Sequence, residues 1–235
     1  MGSKSQTFQF KQFSVCHAGC AMKVGTDGIL LGLLSPACGN RILDIGTGSG
    51  LVALLLAQRN NKAHITGIDI DCGAVRQATD NFRASPWSSR LQSLQADATI
   101  YADSQPFDLI VSNPPYYENS PDAANSSRDA ARRTENLTHS QLIAAAVSLL
   151  APDGFFSVIL PTSISDDFVH ECWQSGLHLS SRHLIRTKVG KPCKRNVLTF
   201  SQHKTLPITH ELTLADADNR RSKEYSALIE DYFIR

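Results

Sequence analysis

The 235-residue sequence has no run approaching the ~18–20 consecutive apolar residues that a membrane-spanning helix needs. Its start, "MGSKSQTFQF", lacks the apolar stretch of a secretory leader. Position 6 is Gln6, where an N-myristoylation signal carries Ser or Thr. Net charge is also scarce. The 23 Lys and Arg against 22 Asp and Glu leave +1, so no bulk field selects a partner and local distribution must. The six cysteines, Cys16, Cys20, Cys38, Cys72, Cys172 and Cys193, are scattered through a chain large enough to need no staples. They read as free thiols in a reducing cytoplasm. Cys16, His17 and Cys20 lack a second pair at zinc-site spacing, so no metal is expected. Internal repeats and low-complexity linkers are missing too.

What is present is alternation. Short apolar runs at 41–46, 64–69, 91–96, 107–113 and 154–161 read as strands. Between them lie helical stretches: "SGLVALLLAQR", a helix capped by Asp71, and "LIAAAVSLLA" behind a Thr138–Gln141 capping box. "DDFVHECWQSG" and the final "EYSALIEDYFIR" also read as helices, and two further strands fall near 178–187 and 196–202. This order predicts an α/β fold, a Rossmann-like doubly wound, mostly parallel sheet of about seven strands. One domain over 1–235 is expected, with 1–40 as an N-terminal extension packed on it. Phe8, Phe10 and Phe13 of that extension are expected to pack rather than to stack on bases. In such a sheet ligands bind beyond the carboxyl ends of the strands. That places the loops after Ile45, Ile68, Ala96 and Ser112 on one rim.

The first of these loops reads Asp44-Ile-Gly46-Thr-Gly48-Ser-Gly50. A dinucleotide fingerprint would need Gly or Ala where Leu51 stands. A carboxylate at Asp44 would repel a pyrophosphate but suits a net cation. Asp69 ends the second strand, where an acid can take ribose hydroxyls. Asp97 follows the third strand and can accept from an adenine amino group. Taken singly, each acid also reads as a solvated loop residue; their placement at successive strand ends joins them. The pattern D-x-G-x-G-x-G resembles motif I of class I S-adenosylmethionine-dependent methyltransferases, which implies S-adenosylmethionine as cofactor.

The fourth loop, in "FDLIVSNPPYYEN", cuts a buried strand short with Asn113-Pro114-Pro115-Tyr116. A plain turn is one reading. The other is an acceptor site for a planar amine. The amine's lone pair is delocalised into its ring, so an enzyme must hold both N–H groups and aim the lone pair at the methyl donor. Asn113 offers a side-chain carbonyl and Pro114 a backbone carbonyl, with proline fixing the backbone. Tyr116 offers a face for a base taken out of its stack. Pro115 and Tyr117 flank them and are assigned to the substrate. "NPPY" resembles motif IV of amino-group methyltransferases, which act on adenine N6, cytosine N4, guanine N2 or glutamine amides.

Together "FKQF.V.H..CAMKVGTDGILLG", "DIGTGSGL", "SPW", "FDLIVSNPPYY" and "YSALI" resemble the bacterial tRNA1(Val) adenine-37 N6-methyltransferase family over nearly the whole chain. The resemblance implies methyl transfer to the adenine beside the anticodon, a tRNA partner and no DNA. A protein glutamine methyltransferase, an rRNA guanine methyltransferase and an RNA-binding module with a vestigial fold are the competing readings. Within "KVGTDGILLG", Thr26 or Asp27 is expected to cap a helix beginning near Gly28, whose amides can meet the cofactor's carboxylate. No acid lies between Cys172 and His210, and Lys194-Arg195, placed in a loop after Pro192, are the RNA candidates there. Arg128, Arg132 and Arg133 sit in the long aperiodic segment 118–136, which reads as a loop that orders on RNA.

Overall fold

The computed structural model describes residues 7–17, 24–115 and 137–234. Its centre is an eight-stranded sheet in the order β10-β8-β9-β7-β6-β3-β4-β5. The strands are β3 (Arg41–Ile45), β4 (His64–Asp69), β5 (Leu91–Gln95), β6 (Phe107–Ser112), β7 (Leu150–Pro161), β8 (His178–Arg186), β9 (Cys193–Ser201) and β10 (Ile208–Thr213). Only β9 runs against the others. From β3 the chain steps outward through β4 to β5, then returns to β6 on the other flank of β3. The β3–β6 boundary is therefore the topological switch point, where such sheets open a crevice.

The helices among the described residues are α1 (Thr26–Leu34), α2 (Leu51–Arg59), α3 (Cys72–Arg83), α4 (His139–Leu149), α5 (Thr162–Gln174) and α6 (Lys223–Ile229). Two apolar clusters cover the two faces of the sheet. One joins Ile42, Ile65, Leu109 and Ile159 to α1, α2 and Phe82 of α3. The other joins Leu43, Ile45, Ile110 and Val158 to α4 and α5. Neighbouring residues of one strand thus serve opposite faces, as strand alternation requires. Asp71 caps α3 by accepting from the amides of Gly73 and Ala74, and Thr138 with Gln141 closes the capping box of α4. Strands β1 (Thr7–Gln9) and β2 (Ser14–Cys16) form a hairpin whose Phe10 and Phe13 are buried and stacked at 4.4 Å. Phe233 closes on Phe10 from the other end of the chain, at 5.4 Å.

Four expectations need correction. The sheet has eight strands because "ITHELT" is one: it lies at the edge, parallel to β8, with only Leu212 buried, so its polar residues hid it. Strand β7 begins at Leu150, since Leu150 pairs with Phe107 and a bulge absorbs the residues before Phe155. Helix α1 starts at Thr26, with Gly25 at its N-cap and no side chain capping it; Asp27 instead pairs with Arg195 at 3.0 Å. Lys194 and Arg195 lie on β9, not in a loop, because Arg195 is in register with Pro161 and Ile185 on either side.

Candidate cofactor and acceptor site

Strand β3 delivers Asp44 and the glycine loop to the switch point. Asp44 is 1% exposed and accepts a hydrogen bond from Thr47 Oγ1 at 2.7 Å. Burial pushes its carboxyl up to about 7, against the lowering effect of the Thr47 bond, with the Asp69 charge adding to the rise. The loop is pinned to β4: the amides of Gly46 and Thr47 both donate to Ile68 O, at 2.9 and 3.0 Å. Gly46 and Gly48 have positive φ (72° and 56°), and a β-carbon built on either would meet open space. A backbone folded into the left-handed region with nothing on its outer side is a surface a ligand can approach closely. Gly50 also has positive φ, but it faces the Phe82 ring.

Asp69, half-buried at the end of β4, accepts from Gly48 N at 3.0 Å through Oδ2 and from Asp71 N at 3.0 Å through Oδ1. It therefore fixes the loop's outer turn while its carboxylate stays at the rim. Asp97 accepts from the Thr99 amide and hydroxyl through Oδ1, at 2.8 and 2.7 Å, and these bonds hold its carboxyl below the usual range. The fold brings Asp44, Asp69 and Asp97 to successive, adjacent strands.

On the other flank, β6 ends level with β3. Ile45 and Ser112 are in register, and Ser112 Oγ donates to Ile45 O at 2.9 Å. Asn113 and Gly46, the next residues of the two strands, therefore leave the sheet side by side. Asn113 is half-buried, Pro114 buried and Pro115 exposed. Tyr116, Tyr117, Arg128, Arg132 and Arg133 lie outside the described residues. Thr26 is in the first turn of α1, on the face of the sheet that also carries α2.

Three residues of this site were not singled out in the sequence. Thr47 donates to the buried acid. Ile70 is 58% exposed beside Asp69 and offers an apolar surface at the rim. Asn81 of α3 is buried; it accepts from Cys16 N at 3.0 Å and donates to Cys16 O and Ser49 O, both at 2.8 Å. That side chain ties the N-terminal hairpin to the glycine loop. Nothing in "TDNFRAS" marks it, since its partners lie 65 and 32 residues away.

The residues present suit a cationic nucleoside: a buried acid, two further acids on neighbouring strands, and an uncovered glycine backbone. The family model described as "Methyltransferase small domain" matches residues 16–166. A Photorhabdus laumondii protein named tRNA1(Val) (adenine(37)-N6)-methyltransferase is 42% identical over 231 residues, 97% of this chain and 95% of its own. One of the same name from Bacteroides fragilis is 42% identical over 232 residues, 97% of this chain and 98% of its own. A predicted O-methyltransferase from Agrobacterium tumefaciens shares the fold at TM-score 0.65 and 19% identity, over 88% of this chain and 96% of its own. With near-complete mutual coverage at this identity, the chain belongs to the tRNA1(Val) (adenine(37)-N6)-methyltransferase family.

Proposed function

We propose that the protein transfers a methyl group from S-adenosylmethionine to N6 of adenine 37, beside the anticodon of tRNA1(Val). The observation that carries this reading is the side-by-side exit of Asn113 and the glycine loop from registered strands. When bound, S-adenosylmethionine supplies an electrophilic methyl on a sulfonium. Asp44 and Asp69 provide the negative charge that a cationic ligand needs, and Asp97 an acceptor for its adenine. Thr26 stands in the first turn of α1, whose amides favour a carboxylate. The Asn113 side-chain carbonyl and the Pro114 carbonyl accept the two N–H bonds of the substrate amine, which directs its lone pair towards the cofactor side. Tyr116 stacks on the base, with Pro115 and Tyr117 beside it. Arg128, Arg132, Arg133 and Lys194 take the RNA backbone around the anticodon stem-loop, while Arg195 is engaged by Asp27. No strong base is needed, because the nitrogen becomes acidic once methylated; catalysis is positioning and charge.

Methyl transfer from labelled S-adenosylmethionine to separated tRNA, rRNA and release-factor pools tests this, with mass spectrometry of the nucleosides. Label as N6-methyladenosine in tRNA alone is expected. Label in a release factor, or as N2-methylguanosine, would overturn it.

The buried acid makes the site pH-dependent. In the ligand-free fold Asp44 titrates near 7, above an ordinary carboxylate. Its contribution to stability is therefore complete below the unfolded value and is lost as pH rises through about 7. From pH 5.5 to pH 8 the ligand-free protein should lose melting temperature relative to Asp44→Asn, a comparison that cancels the opposing titration of His183, which burial lowers to about 4. A cationic ligand prefers the ionised acid, so its affinity should move oppositely, rising by up to about tenfold per unit below pH 7. Calorimetry across that range checks the second effect, and Asp44→Asn should flatten it.

A further inference from the structure

Seven basic residues and no acid lie between Cys172 and His210, and the fold sorts them into two kinds. Arg182 pairs with Asp166 at 2.8 Å, Arg186 with Glu211 at 3.3 Å and Arg195 with Asp27 at 3.0 Å. These pairs join β8 to α5, β8 to β10 and β9 to α1, so they serve the fold. Lys204 follows β9 at the opposite rim, beside the His203–Asp153 pair. Lys188, Lys191 and Lys194 remain, and none makes an ion pair with a described residue. Lys188 and Lys191 lie in the turn joining β8 to β9, and Lys194 is the second residue of β9.

That turn is held in place. Leu214 N donates to Arg186 O at 2.9 Å, Val189 N to Ala215 O at 3.0 Å, and Lys191 N to Lys188 O at 3.1 Å. At its tip Val189 is 56% exposed. It also stands on the rim that carries Asn113, since β8 runs parallel to β6 and ends at the same side of the sheet. Strand spacing and rise put the tip about 15–25 Å from Asn113. A methylated base cannot itself span that distance, but the backbone of its stem can. On this rim acids stand over β3, β4 and β5, and lysines with no ion pair to a described residue stand over β8 and β9, with Asp216 and Asp218 following β10 beside the turn.

We propose that the β8–β9 turn, through Lys188 and Lys191 with Lys194 behind them, grips RNA phosphates remote from the methylated base. Lysine ammonium groups are flexible point charges that accept a phosphate without fixed orientation, which suits contact away from the reacting centre. The inference rests on the reading that tRNA is the substrate.

The test is binding of the full-length protein to a tRNA1(Val) transcript over a range of salt concentrations. Lys188→Gln combined with Lys191→Gln should weaken binding and make the log–log salt slope shallower by roughly 1.4–1.8, from 0.7–0.9 per lost contact. Lys204→Gln, at the opposite rim, should keep the wild-type slope. S-adenosylhomocysteine affinity should be unchanged in both. A double variant with the wild-type slope, in an enzyme that does methylate the transcript, overturns the clamp and leaves the function standing. A wild-type protein that neither binds nor methylates the transcript overturns both.

Discussion

Asn113→Ala is expected to lower the single-turnover rate of methyl transfer by ~10²–10³-fold, the scale of losing one preorganised hydrogen-bond partner in a transition state. Cofactor affinity should stay near wild type. The separation follows from position. Asn113 leaves β6 beside the glycine loop, but the contacts that shape that loop are made by Ile68, Asp69 and Asn81. Substitution at Asn113 leaves those three supports in place. Asn113 is only half-buried, while the buried Pro114 behind it keeps its packing, so the variant should fold. Rapid-quench measurement at saturating tRNA and cofactor gives the rate, and calorimetry the affinity. A variant keeping more than about a tenth of the wild-type rate, far above that scale, would reduce Asn113-Pro114 to a turn that ends a strand.

The sheet was legible where strands are buried on both faces. "RILDI", "HITGID" and "FDLIVS" are short, apolar and bounded by glycine, aspartate or proline, so sequence alone fixes their state. The glycine loop was legible because its spacing has few uses. What escaped depended on partners distant in the chain. Strand β10 has one buried residue and is recruited by β8. Arg195 looks like a free cation until α1 brings Asp27 to it across 168 residues. Asn81 is one asparagine in a polar helix until the fold sets Cys16 and Ser49 against it. Such residues carry no local periodicity to detect; their roles exist only in the assembled structure.

Gly50 and Gly48 are two residues apart in the same loop, yet alanine should act mainly on stability at the first and on cofactor binding at the second. Both have positive φ, 80° and 56°, so either substitution costs about 1–2 kcal/mol in backbone strain. At Gly50 a β-carbon would also be driven into the Phe82 ring, with Cζ at 2.9 Å. Phe82 is 2% exposed on a helix whose preceding residue, Asn81, is locked by three hydrogen bonds, so the ring has little room to retreat. Overpacking of this kind adds about 1–3 kcal/mol. The two terms together give a loss of roughly 2–5 kcal/mol for Gly50→Ala, or a melting temperature lower by about 5–20 °C for a chain of this size. At Gly48 a β-carbon meets nothing within 4 Å, so stability should fall by the strain alone. The methyl group would stand where a ligand must approach the backbone, and crowding of about 1–3 kcal/mol there means S-adenosylmethionine binding roughly 5–150-fold weaker. Thermal melting of the ligand-free proteins and calorimetry of the folded ones separate the two effects. If Gly48→Ala bound the cofactor as wild type does, the open face of the loop would not be the cofactor's, and Asp44 and Asp69 would need another explanation.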